Sequence, residues 1–373
     1  MIKLKLWPAT AKQVKVAFAI ELMKWMEILL LECKVSTKGF CEALIIRNDL
    51  QPFQANHLKE LIRKETVCEF RHSYYKLGNF NKLDDGTVCP ACPKGSGTRF
   101  VAIDANFGPA EAIVERFFIT DEEVSNFVNS YNDSTTGFKE CNQFKAGDKV
   151  RSKSRTSKMD VTGVFGSVCR HELPVLFMNM QHGERLAYSV LLLDKLLNVP
   201  ASKDQKLNVT YDIACVLFSH LKIRNQDDML AKMQMKIPIL HCYGHQASCQ
   251  VEFNPRRTTG FGLTDGEGIE RWSYLRCSAR ITKEMTPSHR VDLLTDALLH
   301  YAKRKERNIG KVLVQKHSKA VSILKNTEKE IGDKIRLINK VITEETIQEW
   351  KIEEKATLCS KAKPVKAMGR GLC

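Results

Sequence analysis

Two short apolar runs each carry an aspartate, and this pattern constrains the fold of the 373-residue chain more than any other feature. RFVAIDANF, residues 99–107, reads as a buried strand with Asp104 at its C-terminal end. VTYDIACVLF, residues 209–218, reads as a strand that passes through Asp212 into a helix. An acid in such a place costs stability unless it pairs, binds metal or reacts. A third acidic group follows in TDGEGIERW, residues 264–272, where Asp265, Glu267 and Glu270 stand beside Arg271 and Trp272, past a Gly-Phe-Gly turn at 260–262. Acids on three separate elements of a basic chain point to a divalent-metal site that handles phosphate. Taken singly, each has a plainer reading: Asp104 begins a turn, Asp212 caps a helix, and Glu267 or Glu270 pairs with Arg271.

The formal net charge of +15 is unevenly placed. Residues 301–373 hold eighteen Lys and Arg against nine Asp and Glu, and the loop 145–158 holds six against one. Basic segments on a near-neutral body suit nucleic acid better than a small substrate, with a solvated surface as the bland alternative. Hydrophobic residues make up 43% of the chain, enough for a full core. Thirteen cysteines, with no apolar leader in Met1–Pro8, place the chain in a reducing compartment, the cytosol or nucleus. No membrane association is expected, because the longest apolar run, near Met26–Leu31, is too short to span a bilayer.

Along the chain, residues 1–88 read as an N-terminal helical region, in which AFAIELMKWMEILLLECK (17–34) has helical spacing. A core over 89–290 alternates strands and helices. Within it TDEEVSNFV (120–128) carries a helix N-cap, VTGVFGSVC (161–169) reads as a strand, and HGERLAYSVLLLDKLL (182–197) as an amphipathic helix. PILHCYGH (238–245) begins as another strand, and IERWSYLRC (269–277) starts a helical stretch. Residues 291–356 read as a basic helical tail with a heptad-like pattern in IGDKIRLINKVI (331–342), and 357–373 as disordered. The fold class is therefore α/β, a sheet core with flanking helices and a helical C-terminal tail.

Clustered Cys and His read as zinc ligands. Cys169 and His171 stand one residue apart in CRH, and HCYGHQASC places His241, His245 and Cys249 at four-residue steps, which a helix would keep near one face. Two ligands from each segment make a tetrahedral Cys2His2 set of Cys169, His171, His245 and Cys249, with His241 as substitute. Cys89 and Cys92 form a half-site, with Cys68 and His72 as its expected complement. Core filling by buried thiols is the competing reading.

The segments AIDANF, FKAGD, DVTGVFGSVCRHE, GERLAYS, YDIAC, HCYGHQASCQ and GFGLTDGEGIERWS, with CPACP and LWPATAKQVKVAF before them, resemble the Kyakuja–Dileera–Zisupton (KDZ) class of DNA transposases, in order, over roughly residues 5–290. The resemblance implies an RNase H-like mixed sheet and a DDE-type acidic site. Asp104 is then the first acid, Asp212 the second, and Glu267 the favoured third, with Glu270 as the alternative one helical turn away. It implies two Mg²⁺ or Mn²⁺ ions, DNA as partner and substrate, a nuclear location, and a DNA phosphodiester that is hydrolysed before the freed 3′-hydroxyl attacks a target strand. Arg185, Arg256, Arg257 and Arg271 are the expected phosphate contacts, zinc is a structural ion, and a homo-oligomer is compatible with the class. Three departures stand out: Asp104-Ala105-Asn106 where the family reads Asp-Gly-Asn, the acidic GPAEAIVER in place of a basic second strand, and the missing Cys-rich N-terminal module that finds transposon ends. They define the alternative, a catalytically decayed or domesticated DNA- or partner-binding protein that retains the fold.

Overall fold

The computed structural model describes residues 4–9, 14–77, 89–94, 96–106, 117–131, 161, 163–181, 183, 185–198, 205–269, 287–338 and 342–360. The N-terminal region opens with an antiparallel pair, β1 (Leu6–Pro8) and β2 (Ala17–Ala19), so the expected long helix starts only at Ile20. Four helices follow: α1 (Ile20–Cys33), α2 (Thr37–Arg47), α3 (Pro52–Leu61) and α4 (Lys64–Leu77). Lys34, at φ 58°, ends α1 in the left-handed region. The Ser36 side chain caps α2 by accepting from Gly39 N at 3.1 Å. Met23, Met26, Phe40 and Phe70 fill the small core between them.

The central sheet is built from β3 (Gly97–Asn106), β4 (Gly163–Cys169), β5 (Pro174–Met180), β6 (Gln205–Thr210) and β7 (Met233–Lys236), in the order β5-β4-β3-β6-β7. β3, β4 and β5 form an antiparallel meander, and β6 and β7 add parallel to β3 on its other side. Parallel neighbours need crossovers, and helices supply them. Between β3 and β6 come α5 (Asp121–Ser130) and α6 (Leu186–Leu197), and α7 (Ala214–Ile223) and α8 (Asp227–Ala231) join β6 to β7. Short helices α9 (Ile239–Cys242) and α10 (Ala247–Glu252) follow, then α11 (Pro287–Ile338) and α12 (Glu344–Ser360). The result is a mixed α/β fold.

Alternation along the strands divides the core. Val101, Ile103 and Val209 pack with α6 and α7 on one face, whereas Ala102, Val164, Val168 and Phe177 pack with Leu294, Leu298 and Leu299 of α11 on the other. α6 is buried nearly all round and starts at Leu186, which corrects the amphipathic reading over 182–197. Thr120 caps α5 as expected, accepting from Glu123 N at 3.3 Å. The expected strand at 238–245 lies earlier, at Met233–Lys236, and Pro238 instead precedes the short α9. The helical tail runs through Ser360, past the expected end of order at Ala356.

A buried ion network ties the N-terminal helices to α11. Arg71 binds Glu27 through two nitrogens at 2.8–3.0 Å and lies 3.9 Å from Asp296, while His72 Nδ1 is 2.6 Å from Asp292. Burial pushes Asp296 up to about 7, with the Glu27 carboxylate adding to the shift. At 52 residues α11 is about 78 Å long at 1.5 Å per residue. It is buried mainly over 292–302, and Val314, Val321, Leu324, Ile331 and Ile335 beyond that stretch are exposed.

Candidate functional site

Strand order brings the first two acids onto neighbouring segments of the sheet. β3 and β6 are parallel neighbours with Val101 level with Val209 and Ala102 level with Thr210. β6 ends at Thr210, Asp104 stands two residues further along β3 than that level, and Asp212 follows in the turn that leads into α7. Val101, Ile103, Val209 and Tyr211 belong to the α6–α7 side of the core. Period-two alternation therefore turns Asp104, within β3, toward the opposite side, and Asp212 lies in the turn that follows Tyr211. Both are half-buried. Asp212 lies just past the end of β6, and its Oδ1 accepts from Ile213 N at 2.9 Å. On the other flank of β3, Asp104 faces Gly166 of β4. A Cβ at Gly166 would stand 2.1 Å from the Phe177 ring, so only glycine fits there.

The third acidic segment lies over this same side. Gly266, at φ +83°, packs so closely on Thr210 that a Cβ would meet it at 2.9 Å, and Thr210 Oγ1 donates to Gly266 O at 3.3 Å. Gly268 is close to Val168 and Ala102 in the same way. Glu267, between these glycines, is buried and sits in a turn, where the sequence suggested a helical i, i+3 pair with Glu270. Its Oε1 accepts from Leu240 N at 2.9 Å and its Oε2 lies 3.9 Å from His241 Nε2. Glu267 N donates to Asp265 Oδ1 at 3.2 Å, and Ile239 N donates to Asp265 O at 3.0 Å. Leu240 and His241 follow β7, so Glu267 is held at the end of the sheet where β3, β6 and β7 terminate. Glu270 and Arg271 lie outside the described residues.

The remaining expected phosphate contacts all have local partners. Arg185 Nη2 donates to Tyr131 O at 3.2 Å and Arg256 Nη1 to Gly262 O at 2.7 Å, and Arg257 pairs with Glu354 of α12. The basic loop 145–158 lies outside the described residues.

Among the described residues, cysteines and histidines form two groups, and the expected pairing is not the one found. Cys89, Cys92, Cys169 and His171 converge, with their ligand atoms all within 4.8 Å of one another. The two halves meet because β3 and β4 are antiparallel: Val101 pairs with Cys169, so the turn before β3 and the end of β4 share one edge. His171 Nδ1 lies 3.4 Å from Cys89 Sγ, 3.5 Å from Cys92 Sγ and 3.9 Å from Cys169 Sγ. Zinc bonds of about 2.3 Å to sulfur and 2.0–2.1 Å to nitrogen in a tetrahedron put S and N about 3.5 Å apart. The Cys3His set matches that spacing.

The thiols titrate as one unit. Hydrogen bonds from Cys169 and Cys92 pull the Cys89 thiol well below its ordinary value, whereas sharing that charge pushes Cys92 up and Cys169 up to about 12. Three thiols, two of them buried, beside one imidazole cannot all ionise without a cation, and a divalent ion lifts that restriction. Arg99 and Arg170 lie within the field of Cys92 and Cys169, suited to the net negative charge of a Zn²⁺ with three thiolates. The complement expected for Cys89 and Cys92 is engaged elsewhere: Cys68 is buried in α4, and His72 meets Asp292.

His245 and Cys249 join Cys215 in the second group. The helical spacing expected across 241–249 is broken, because α9 stops at Cys242 and α10 begins at Ala247. That break leaves His241 beside Glu267 and outside both groups.

Residues 98–301, more than half of the chain, match the family model of the Kyakuja-Dileera-Zisupton transposase, and the chain belongs to that family. The family carries a transposase-like function. No curated protein and no solved structure matches the chain. Among the described residues no helix is long and apolar enough to cross a membrane.

Proposed function

We propose that this chain is the catalytic domain of a KDZ-type DNA transposase, with an RNase H-like core and a DDE-type acidic site of Asp104, Asp212 and Glu267. The observation that carries the reading is the placement of Asp104 on β3 and of Asp212 just past the end of β6, its parallel neighbour. Carboxylate oxygens are the donors that hard divalent cations prefer, so the residues present fit Mg²⁺ or Mn²⁺. When bound, a pair of such ions activates the attacking oxygen and steadies the leaving one in phosphodiester cleavage. The chain's own part is to hold the acids on rigid strand ends, so that little reorganisation is needed when DNA arrives. Glu267 is fixed by the Leu240 amide and the glycines around it, which confines its carboxylate to the same end of the sheet.

DNA is the partner in this reading, with a nuclear site of action, and the basic stretches at 145–158 and 301–373 are the sequence-independent contacts to its backbone. The Cys3His set holds a structural zinc that locks the turn before β3 to the end of β4. The test is metal-dependent nicking of DNA by the wild type and by Asp104→Ala and Asp212→Ala. Losses of about 10³-fold or more are expected in either variant with melting unchanged, as for removal of a metal ligand. Equal nicking by wild type and variants contradicts the catalytic assignment, and salt-dependent DNA binding without cleavage by the wild type selects a domesticated binding protein.

A further inference from the structure

We infer that Cys215, His245 and Cys249 form a second zinc site, separate from the Cys3His centre and behind the acidic edge. Their ligand atoms lie within 4.8 Å of one another and all three residues are buried. Cys215 Sγ is 3.5 Å from His245 Nδ1, the separation of about 3.5 Å that a shared tetrahedral zinc imposes on a thiolate and an imidazole. The same separation appears at the Cys3His centre, although the two sets come from unrelated segments.

The surroundings of His245 support a cation. Its Nδ1 faces a thiol, a weak hydrogen-bonding group, and its buried Nε2 has no hydrogen-bond partner among the described residues. A neutral imidazole so placed has lost water and gained little, whereas coordination at Nδ1 replaces the weak contact with a strong bond. The Gln250 side chain anchors the segment by donating to His245 O at 2.8 Å.

Position gives the site its consequence. Cys215 is in the first turn of α7, just after Asp212, and His245 and Cys249 follow α9, whose Leu240 amide holds Glu267. An ion here clamps the segment after β6 to the segment after β7. The inference stands on Cys and His geometry alone and does not depend on catalysis.

The experiment counts zinc and looks at it. Zinc released from the folded full-length wild type by a thiol-reactive mercurial is expected at two equivalents per chain, and the ¹¹³Cd-exchanged protein is expected to show two cadmium resonances of different sulfur content. Cys249→Ser is expected to remove one equivalent and one resonance and to leave that of the Cys3His centre in place. One equivalent and one resonance in the wild type that both persist in Cys249→Ser overturn the second site. Two equivalents that both survive Cys249→Ser in a folded variant overturn it equally.

Discussion

The Cys3His edge and the acidic edge of the same sheet are built on opposite logics. At the first, four ligand atoms already stand at zinc spacing, and thiols are weak hydrogen-bonding groups, so the contacts that hold them without an ion are poor. At the second, the carboxylates already have backbone donors: Ile213 N on Asp212 and Leu240 N on Glu267. A structural ion replaces contacts that are poor without it, so its removal costs folding energy. A catalytic ion joins carboxylates that the fold already tolerates, so that ion can come and go. In the proposed reading, the difference separates a metal that would hold the protein together from one that would serve its chemistry.

The largest expected effect breaks the first edge. Cys89→Ser with Cys92→Ser is expected to lose one zinc and to unfold the chain or lower its melting temperature by tens of degrees, since structural zinc carries apparent binding energies of about 10–16 kcal/mol. Asp104→Asn with Asp212→Asn is expected to leave thermal melting in metal-free buffer unchanged or raised. Equal destabilisation by the two double variants removes the contrast.

A smaller effect concerns the network that docks the helical region. Asp296 is raised to about 7 in the folded state by burial and then by Glu27, from an unfolded value near 3.8. The folded state therefore binds the proton more tightly. Stability is full below about pH 4, falls as pH rises through 7, and levels off above that. Denaturant titrations at pH 5 and 8 are expected to show the wild type weaker at pH 8 by a few kcal/mol at most, with a flatter profile in Asp296→Asn. An unchanged slope in the variant locates the pH dependence elsewhere.

The smallest expected effect on stability is the sharpest probe of the second edge. Glu267→Gln keeps an acceptor for Leu240 N, so the change in folding energy is expected within about 1 kcal/mol, while nicking falls as steeply as for Asp104→Ala. Near-normal nicking by this variant makes Glu267 a brace for α9 and turns attention to Glu270.

Much of this was legible in the chain. The strand that carries Asp104 and the strand-to-helix passage at Asp212 could be read from apolar runs, because both are local patterns. Thr120 as a helix cap was legible for the same reason. Partner choice among cysteines was not, because it depends on which strands become neighbours. The antiparallel pairing of β3 with β4 brings Cys89 and Cys92 to Cys169 and His171, and a strand order of this kind has no short-range signature. Had the sequence reading paired RFVAIDANF with VTGVFGSVC as an antiparallel couple, the Cys3His set would have followed. Cys215 was missed because one thiol in an apolar helix looks like core filling. His241 was over-read because a single helix was drawn through residues 241–249, where a turn separates two short ones. The helical setting for Glu267 failed on Gly266, whose positive φ bends the chain over Thr210.

The central claim is that Asp104 and Asp212 serve one cation. Anomalous diffraction from crystals soaked in Mn²⁺ tests it most directly. The account predicts a manganese peak bridging a carboxylate oxygen of each, at the C-terminal ends of β3 and β6. Manganese bound only elsewhere, with the two carboxylates turned apart, contradicts it.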